Sequence, residues 1–349
     1  MPTIYAAMRN ALFVVRPDGT TEQRLDGHDL ECVAVDPRRP DRVFVGTFQN
    51  GLQRSTDGGR TFDRIGRDGS GPSEEPSAID SPEEPSAIDP DAVMSIAFDP
   101  DDPETVWVGT EPSRVYRSVD GGATWRELCG LTDLDSADEW YFPPRPHTHH
   151  VRWIEPDPGD PEHLYVGIEA GALVQTHDRG ATWEDRVPTA RIDNHSLATH
   201  PAAPDRAWSA AGDGYAETHD GGKTWTYPQD GLEHRYCWSV AVDADDPDTV
   251  LVSAATGART AHTPDRADAY VYRKRGDDPW KRLDDRGLPM GEGVVRAVLQ
   301  RGTTGGEFYT VTNRGLYRST NGGDRWVPLD VDWPEPFGSQ TPRGLAVVP

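Results

Sequence analysis

The chain has 349 residues, with 59 Asp and Glu against 35 Lys and Arg and a formal charge of −24. That charge repels nucleic acid and anionic lipid, so neither is an expected partner. No apolar run approaches the ~18 residues of a membrane span, and 35 Gly and 31 Pro favour turns over long helices.

Residues 1–15 lack a basic start, apolar stretch and small-residue cleavage site, so no secretory signal is expected. Residues 3–25 read as three short strands, with Pro17-Asp18-Gly19 at a turn. An apolar strand begins near Cys32, and residues 54–62 then read RSTDGGRTF. Residues 67–91 contain EEPSAID twice and are acidic and Pro/Ser-rich, which predicts a disordered insertion. Further strands begin near Met94, Arg152, His195, Trp238 and Val295. The strings RSVDGGATW, QTHDRGATW, ETHDGGKTW and RSTNGGDRW follow at residues 117, 175, 217 and 318. The end, residues 343–348, reads as one more first strand.

A repeat of four short strands separated by Gly, Pro and Asp turns predicts an antiparallel meander, and its repetition predicts propeller blades. Six complete blades follow from the first strands. A seventh is built from residues 3–25 and 343–348, so both termini close the ring. The expected architecture is a single all-β domain over residues 1–349: a seven-bladed β-propeller of four-stranded antiparallel blades. In each repeated turn the Asp accepts backbone hydrogen bonds, the glycines supply positive φ, and the aromatic packs on the blade. These aspartates are therefore read as structural.

The turn motifs resemble the Asp-box (BNR) repeats of sialidase-like propellers, which also occur in sortilin-type receptors, xyloglucan-active glycosidases and photosystem assembly factors. The resemblance implies the propeller fold and a ligand site on the face opposite the Asp boxes. It implies no single activity. The Arg-Ile-Pro segment of true sialidases is absent, the nearest string being Arg191-Ile192-Asp193, so sialidase activity is not expected.

On that top face stand the links from second to third strands and from fourth to first strands. Glu31, Glu169, His195 and Asp213 are the candidate acid/base groups. Arg9, Arg152, His234, Arg235, Tyr236, Trp238, Arg314 and Arg343 are candidate ligand-binding residues, with Arg9, Arg314 and Arg343 as an anion cluster. Met94, Glu31, Arg152, His195, Trp238, Arg343 and Val295 align as one layer at the channel mouth above an aliphatic layer. In the string PHTHHVRW, His147 and His149 would point the same way from an extended segment. With His150, and with His195 from the next blade, they could share a divalent metal.

These residues predict a small polar or anionic ligand, with carbohydrate one candidate, and a glycoside hydrolase or lyase. A protein-binding assembly scaffold and a metal-dependent hydrolase are the alternatives. Exposed aromatics at Trp140, Tyr141 and Phe142 would favour the scaffold. Three cysteines, Cys32, Cys129 and Cys237, form no framework and fit a cytoplasmic protein. Three Lys against 32 Arg, under 40 Asp, suits a salt-adapted chain.

Overall fold

The computed structural model describes residues 1–65 and 88–349. Most of the expected insertion at 67–91 therefore lies outside the described residues. Seven antiparallel sheets stand in sequence order around an axis. Their first strands are Leu30–Val35, Ala92–Phe98, Val151–Asp157, Asn194–Thr199, Tyr236–Val242, Val298–Arg301 and Gly344–Val348. Each first strand touches the next, and the last touches the first, which makes them the inner wall of a closed ring. In the seventh sheet Gly344–Val348 pairs with Thr3–Ala7, which is followed outward by Leu12–Val15 and Thr21–Arg24. The protein is a seven-bladed β-propeller. In the third and fourth blades the outermost strand shrinks to single bridges, Gln175 to Glu184 and Glu217 to Thr226.

The core lies between blades. Phe44 and Leu52 of the first blade pack with Val93, Val106, Val108, Tyr116 and Trp125 of the second. Second strands are apolar on both sides because a blade covers each face; all of Val43–Thr47 and of Val106–Glu111 is buried. The repeated turn is locked by its own side chains. Asp57 Oδ1 accepts from the Thr61 N–H at 2.9 Å, Oδ2 accepts from the Thr61 hydroxyl at 2.7 Å, and Ser55 Oγ accepts from the Gly59 N–H at 2.8 Å. The backbone and side-chain bonds from Thr61 hold the Asp57 carboxyl well below its usual range. Gly58 and Gly59 sit at φ 72° and 78°, where a side chain would be strained. The turn aromatics then reach the preceding blade: Trp125 meets Phe44 edge-on at 6.4 Å, and Trp225 meets Tyr165 at 6.2 Å.

A shared irregularity positions the site. In five first strands the ladder skips one residue: Glu31, Met94, Arg152, His195 and Trp238. Each is a β-bulge, which frees a side chain from the blade's two faces and re-aims it. The residue after the bulge often pins the next blade. Ser95 Oγ donates to the Val151 carbonyl at 2.9 Å, Ser196 Oγ accepts from the Val240 N–H at 3.0 Å, and Ser239 Oγ accepts from the Leu299 N–H at 3.0 Å. The sixth blade corrects the sequence alignment. Its ladder begins at Val298, so Ala297 stands at the register of the bulges and Val295 does not; Arg296, the residue before Ala297, is the one that reaches Trp238.

Candidate functional site

The five bulge residues, together with Arg296, form a ring across the axis. Glu31, Met94, Arg152, His195, Trp238 and Arg296 are all buried. Arg343 completes the ring from the seventh blade and lies 3.4 Å from Glu31. Trp238 is stacked between two guanidiniums, with Arg152 Cζ 4.8 Å and Arg296 Cζ 3.5 Å from its ring centre. The mouth layer is thus a packed partition. A cavity of about 550 Å³ lies on its far side, reaching the turns that follow the first strands, near Pro37, Pro201 and Gly302.

On the top side of the partition two carboxylates converge. Glu169 follows the second strand of blade three, and Asp193 precedes the first strand of blade four. Oxygens of Glu169 and Asp193 and a ring nitrogen of His195 lie within 4.8 Å of one another. Glu169 Oε2 meets His150 Nε2 at 2.9 Å and lies 3.6 Å from Arg152 Nε. Burial alone would raise the Glu169 pKa, but the hydrogen bond and charge of His150, with His195 and Arg152, drive it well below the usual range. His150 is buried, which disfavours its charge, yet Glu111 and Glu169 on either side raise its pKa. Burial also acts on Glu111, but His150 and Arg145 outweigh it and bring its carboxyl down to about 2. Asp193 moves the other way: burial, with the charges of Glu169 and Asp213, raises its pKa against the pull of His195. Asp193 Oδ1 accepts from the Ala170 N–H at 3.0 Å, which leaves Oδ2 for a proton.

Behind this pair runs a hydrogen-bond chain whose direction is fixed at both ends. Arg296 Nε can only donate, and it meets His262 Nδ1 at 3.0 Å. His262 Nε2 therefore carries the proton and donates to Tyr236 Oη at 3.0 Å. Tyr236 Oη is 3.5 Å from His195 Nε2. At the other end His195 Nδ1 must donate to the Cys237 carbonyl, 2.6 Å away, which turns Nε2 towards the Tyr236 hydroxyl and the two carboxylates. Burial and the neighbouring Arg296 charge push the His262 pKa down to about 2, which keeps it neutral.

Several predicted residues lie elsewhere. His147, His149 and His150 do not join His195 as a metal set; among the described residues the one grouping of that kind is Glu169, Asp193 and His195. The cause is local: the Thr148 N–H bonds back to the Arg145 carbonyl, so the segment turns and is not extended. His147 is exposed, and His149 packs on Trp140. The grouping that does form suits a metal poorly, because His195 Nε2 faces the Tyr236 hydroxyl and Glu169 Oε2 is already met by two cationic groups. Arg9 pairs with Asp29, and Arg314 donates to the Gly293 carbonyl, so neither shares a partner with Arg343. Asp213 lies 3.7 Å from Arg191 and is partly exposed. His234 is bound to Tyr272 at 2.5 Å, and Arg235 is exposed beside it. Trp140 is buried on Ser136 and Phe142 stacks on His150, which leaves Tyr141 as the exposed aromatic of that trio. Asp193, His262 and Arg296 were not among the predicted site residues. The alignment of the sixth blade on Val295 passed over Arg296.

No protein-family model matches the chain. It is 24% identical over 307 residues to the probable oligoxyloglucan-reducing end-specific xyloglucanase of Neosartorya fischeri, covering 82% of this chain and 31% of that protein. It is also 24% identical over 303 residues to xyloglucanase Xgh74A of Acetivibrio thermocellus, covering 75% and 33%. The chain thus spans about a third of the length of these curated relatives. Among solved structures, the GH74 enzyme of Niastella koreensis superposes with a TM-score of 0.62 at 14% identity, over 95% of this chain and 54% of that one. YCF48 bound to D1 peptide superposes with a TM-score of 0.55 at 16% identity, over 86% and 80%. At these identities the superpositions establish the propeller fold.

Proposed function

We propose that the protein is a carbohydrate-active propeller, a glycoside hydrolase acting on a glucan of the xyloglucan type at its top face. The observation that carries this reading is the Glu169–Asp193 pair, two carboxylates within 4.8 Å whose environments push their proton affinities apart. Similarity to xyloglucanases supports the substrate class. Asp193, which keeps its proton to higher pH, donates it to the glycosidic oxygen as the bond to the leaving sugar breaks. Glu169 remains ionised, and its Oε1 accepts no hydrogen bond among the described residues, so it is the group that stabilises or attacks the anomeric carbon. His150 and Arg152 hold the other oxygen and orient the carboxylate. Exposed Tyr141 offers a stacking surface for a sugar ring.

The test is release of reducing ends from xyloglucan and its oligosaccharides. Turnover that falls about 10²–10⁴-fold in both Asp193→Asn and Glu169→Gln supports the assignment. Turnover unaffected by either change, or no turnover on any glucan, overturns it. Addition of EDTA is expected to leave the rate unchanged. The second reading is a peptide-binding scaffold, favoured by the superposition that spans 80% of the YCF48 chain. Saturable peptide binding to a protein without glycosidase activity would establish it.

A further inference from the structure

The far side of the partition has a different chemistry. The axial cavity of about 550 Å³ is the size of a small-molecule site, and its wall is largely apolar, with Val33, Ile96, Ile154 and Leu345. Its inner end is not: Arg152, His195, Trp238 and Arg343 line it. Arg296 stands against the same Trp238 and donates Nη1 to the carbonyl of Pro342, the residue before Arg343. Two guanidiniums, Arg152 and Arg343, therefore line one end of the cavity, and the charge of Arg296 lies against the Trp238 that lines it with them.

Their charges are not balanced locally. Arg343 Nη1 has Glu31 at 3.4 Å and Arg152 Nε has Glu169 at 3.6 Å, both long for a charge-assisted hydrogen bond. Glu169 is already bonded to His150. Among the described residues, Arg296 is fully buried with no carboxylate contact and no hydrogen-bond partner for Nη2, and Nε of Arg152 and of Arg343 have none either. A buried cation without a counter-charge is costly, so a group of this kind stabilises an anion that enters beside it. Consistent with that, burial and the charges of Arg343 and Arg152 lower the Arg296 pKa. This cationic concentration sits inside a chain of formal charge −24, so the acidic composition does not account for it.

We infer that the inner end of the axial channel is a binding site for a small monovalent anion, a carboxylate or a halide, held by Arg152 and Arg343 beside Trp238, favoured by the buried charge of Arg296 on that ring, and reached from the turn side. The site shares Arg152 with the carboxylate pair across the partition, and its test is made through Arg343, which that pair does not use. It needs no catalysis, so it stands or falls independently of the glycosidase reading.

The experiment is isothermal titration of the full chain with sodium acetate, sodium glucuronate and sodium chloride, with glucose as the neutral control. Arg343→Gln and Arg343→Lys are compared with the wild type; this side chain is 21% exposed, so its replacement is the mildest of the three. Saturable one-to-one binding of an anion is expected, weakened about tenfold or more in Arg343→Gln and partly restored in Arg343→Lys. Binding of carboxylates alone identifies an organic acid as the ligand, and equal binding of chloride identifies a counter-ion site. Either supports the inference. If no anion saturates the wild type, if glucose binds as well as glucuronate, or if Arg343→Gln binds unchanged, the inference is overturned. Should Arg343→Gln not fold, the Arg343→Lys protein and a bromide-soaked crystal carry the test, and bromide absent from the channel overturns it.

Discussion

Single residues decide the state of the candidate site. His150 is buried between Glu111 and Glu169, with ring nitrogens 3.3 Å and 2.9 Å from their oxygens. Its folded pKa lies above the ordinary 6.5, so its contribution to stability is fully present below that pH and is lost as pH rises through the folded value. Glu169 lies below the ordinary 4.5, so its contribution is present above that pH and is lost as pH falls towards the folded value. The pair is therefore most stabilising between about 4.5 and 6.5. His150→Gln should cost about 3–5 kcal/mol at pH 6, because it leaves a buried carboxylate without its cation. Denaturant titrations at several pH values should also show the alkaline loss of stability flattened in the variant. An unchanged slope above pH 6.5 would mean that His150 is not the charged partner. On the proposed glycosidase reading the same residues set the pH dependence of turnover. Asp193 must be protonated and its pKa is raised, so activity should fall as pH climbs past that raised value, with Glu169 ionised throughout. A rate that rises monotonically to alkaline pH would exclude Asp193 as the acid.

Strands and turns carry the positions of these residues, and here the sequence was most informative. The Ser/Thr-x-Asp/Asn-x-Gly motif was legible because its bonds are local: Thr218, Asp220, Gly222 and Thr224 satisfy one another within seven residues. The blade count followed from that motif and the strand pattern around it. The bulges were not legible, because a skipped residue changes no residue type; only the ladder shows that Arg152 and His195 leave the sheet faces. Contacts between blades were hidden for the same reason, being set by register across the ring. Arg296 and His262 meet over 34 residues of sequence, and the alignment had placed Val295 at the mouth, where the chain presents Arg296. Glycine opposite the bulge gives an element-scale test. A Cβ on Gly109 would overlap Ser95 Oγ and Val151 Cγ1 and sit 2.7 Å from Val151 Cβ. The neighbouring first strand leaves no room for it. Gly109→Ala is expected to destabilise by about 1–3 kcal/mol through overpacking, whereas Gly257→Ala, with open space around it, should not destabilise measurably by sterics. Equal melting temperatures for the two variants would show that the blades can part at no cost.

At the scale of the molecule, the charge of −24 and the closed ring pull against each other. Acidic turns crowd the outer and lower faces, where like charges repel across distances of a few to ten ångströms. At 0.1 M salt the screening length is ~10 Å and at 1 M it is ~3 Å, so repulsion between turns of adjacent blades is largely intact in the first case and removed in the second. Ion pairs do bridge the blades, as Arg42 does to Glu104 at 2.9 Å and Arg206 to Asp248 at 2.8 Å, but 35 cations cannot match 59 acids. The melting temperature should therefore climb with KCl from 0.1 M and level off at about 1 M, by the same amount whatever the anion, since screening depends on ionic strength alone. An anion bound in the channel would add a second, saturable rise that depends on the identity of the anion and disappears in Arg343→Gln. Melting curves in potassium chloride and potassium glutamate at equal ionic strength separate the two. A rise common to both salts reports the surface, and a difference confined to the wild type reports the channel. A melting temperature indifferent to both salts would mean that the surface charges already lie far enough apart to ignore one another.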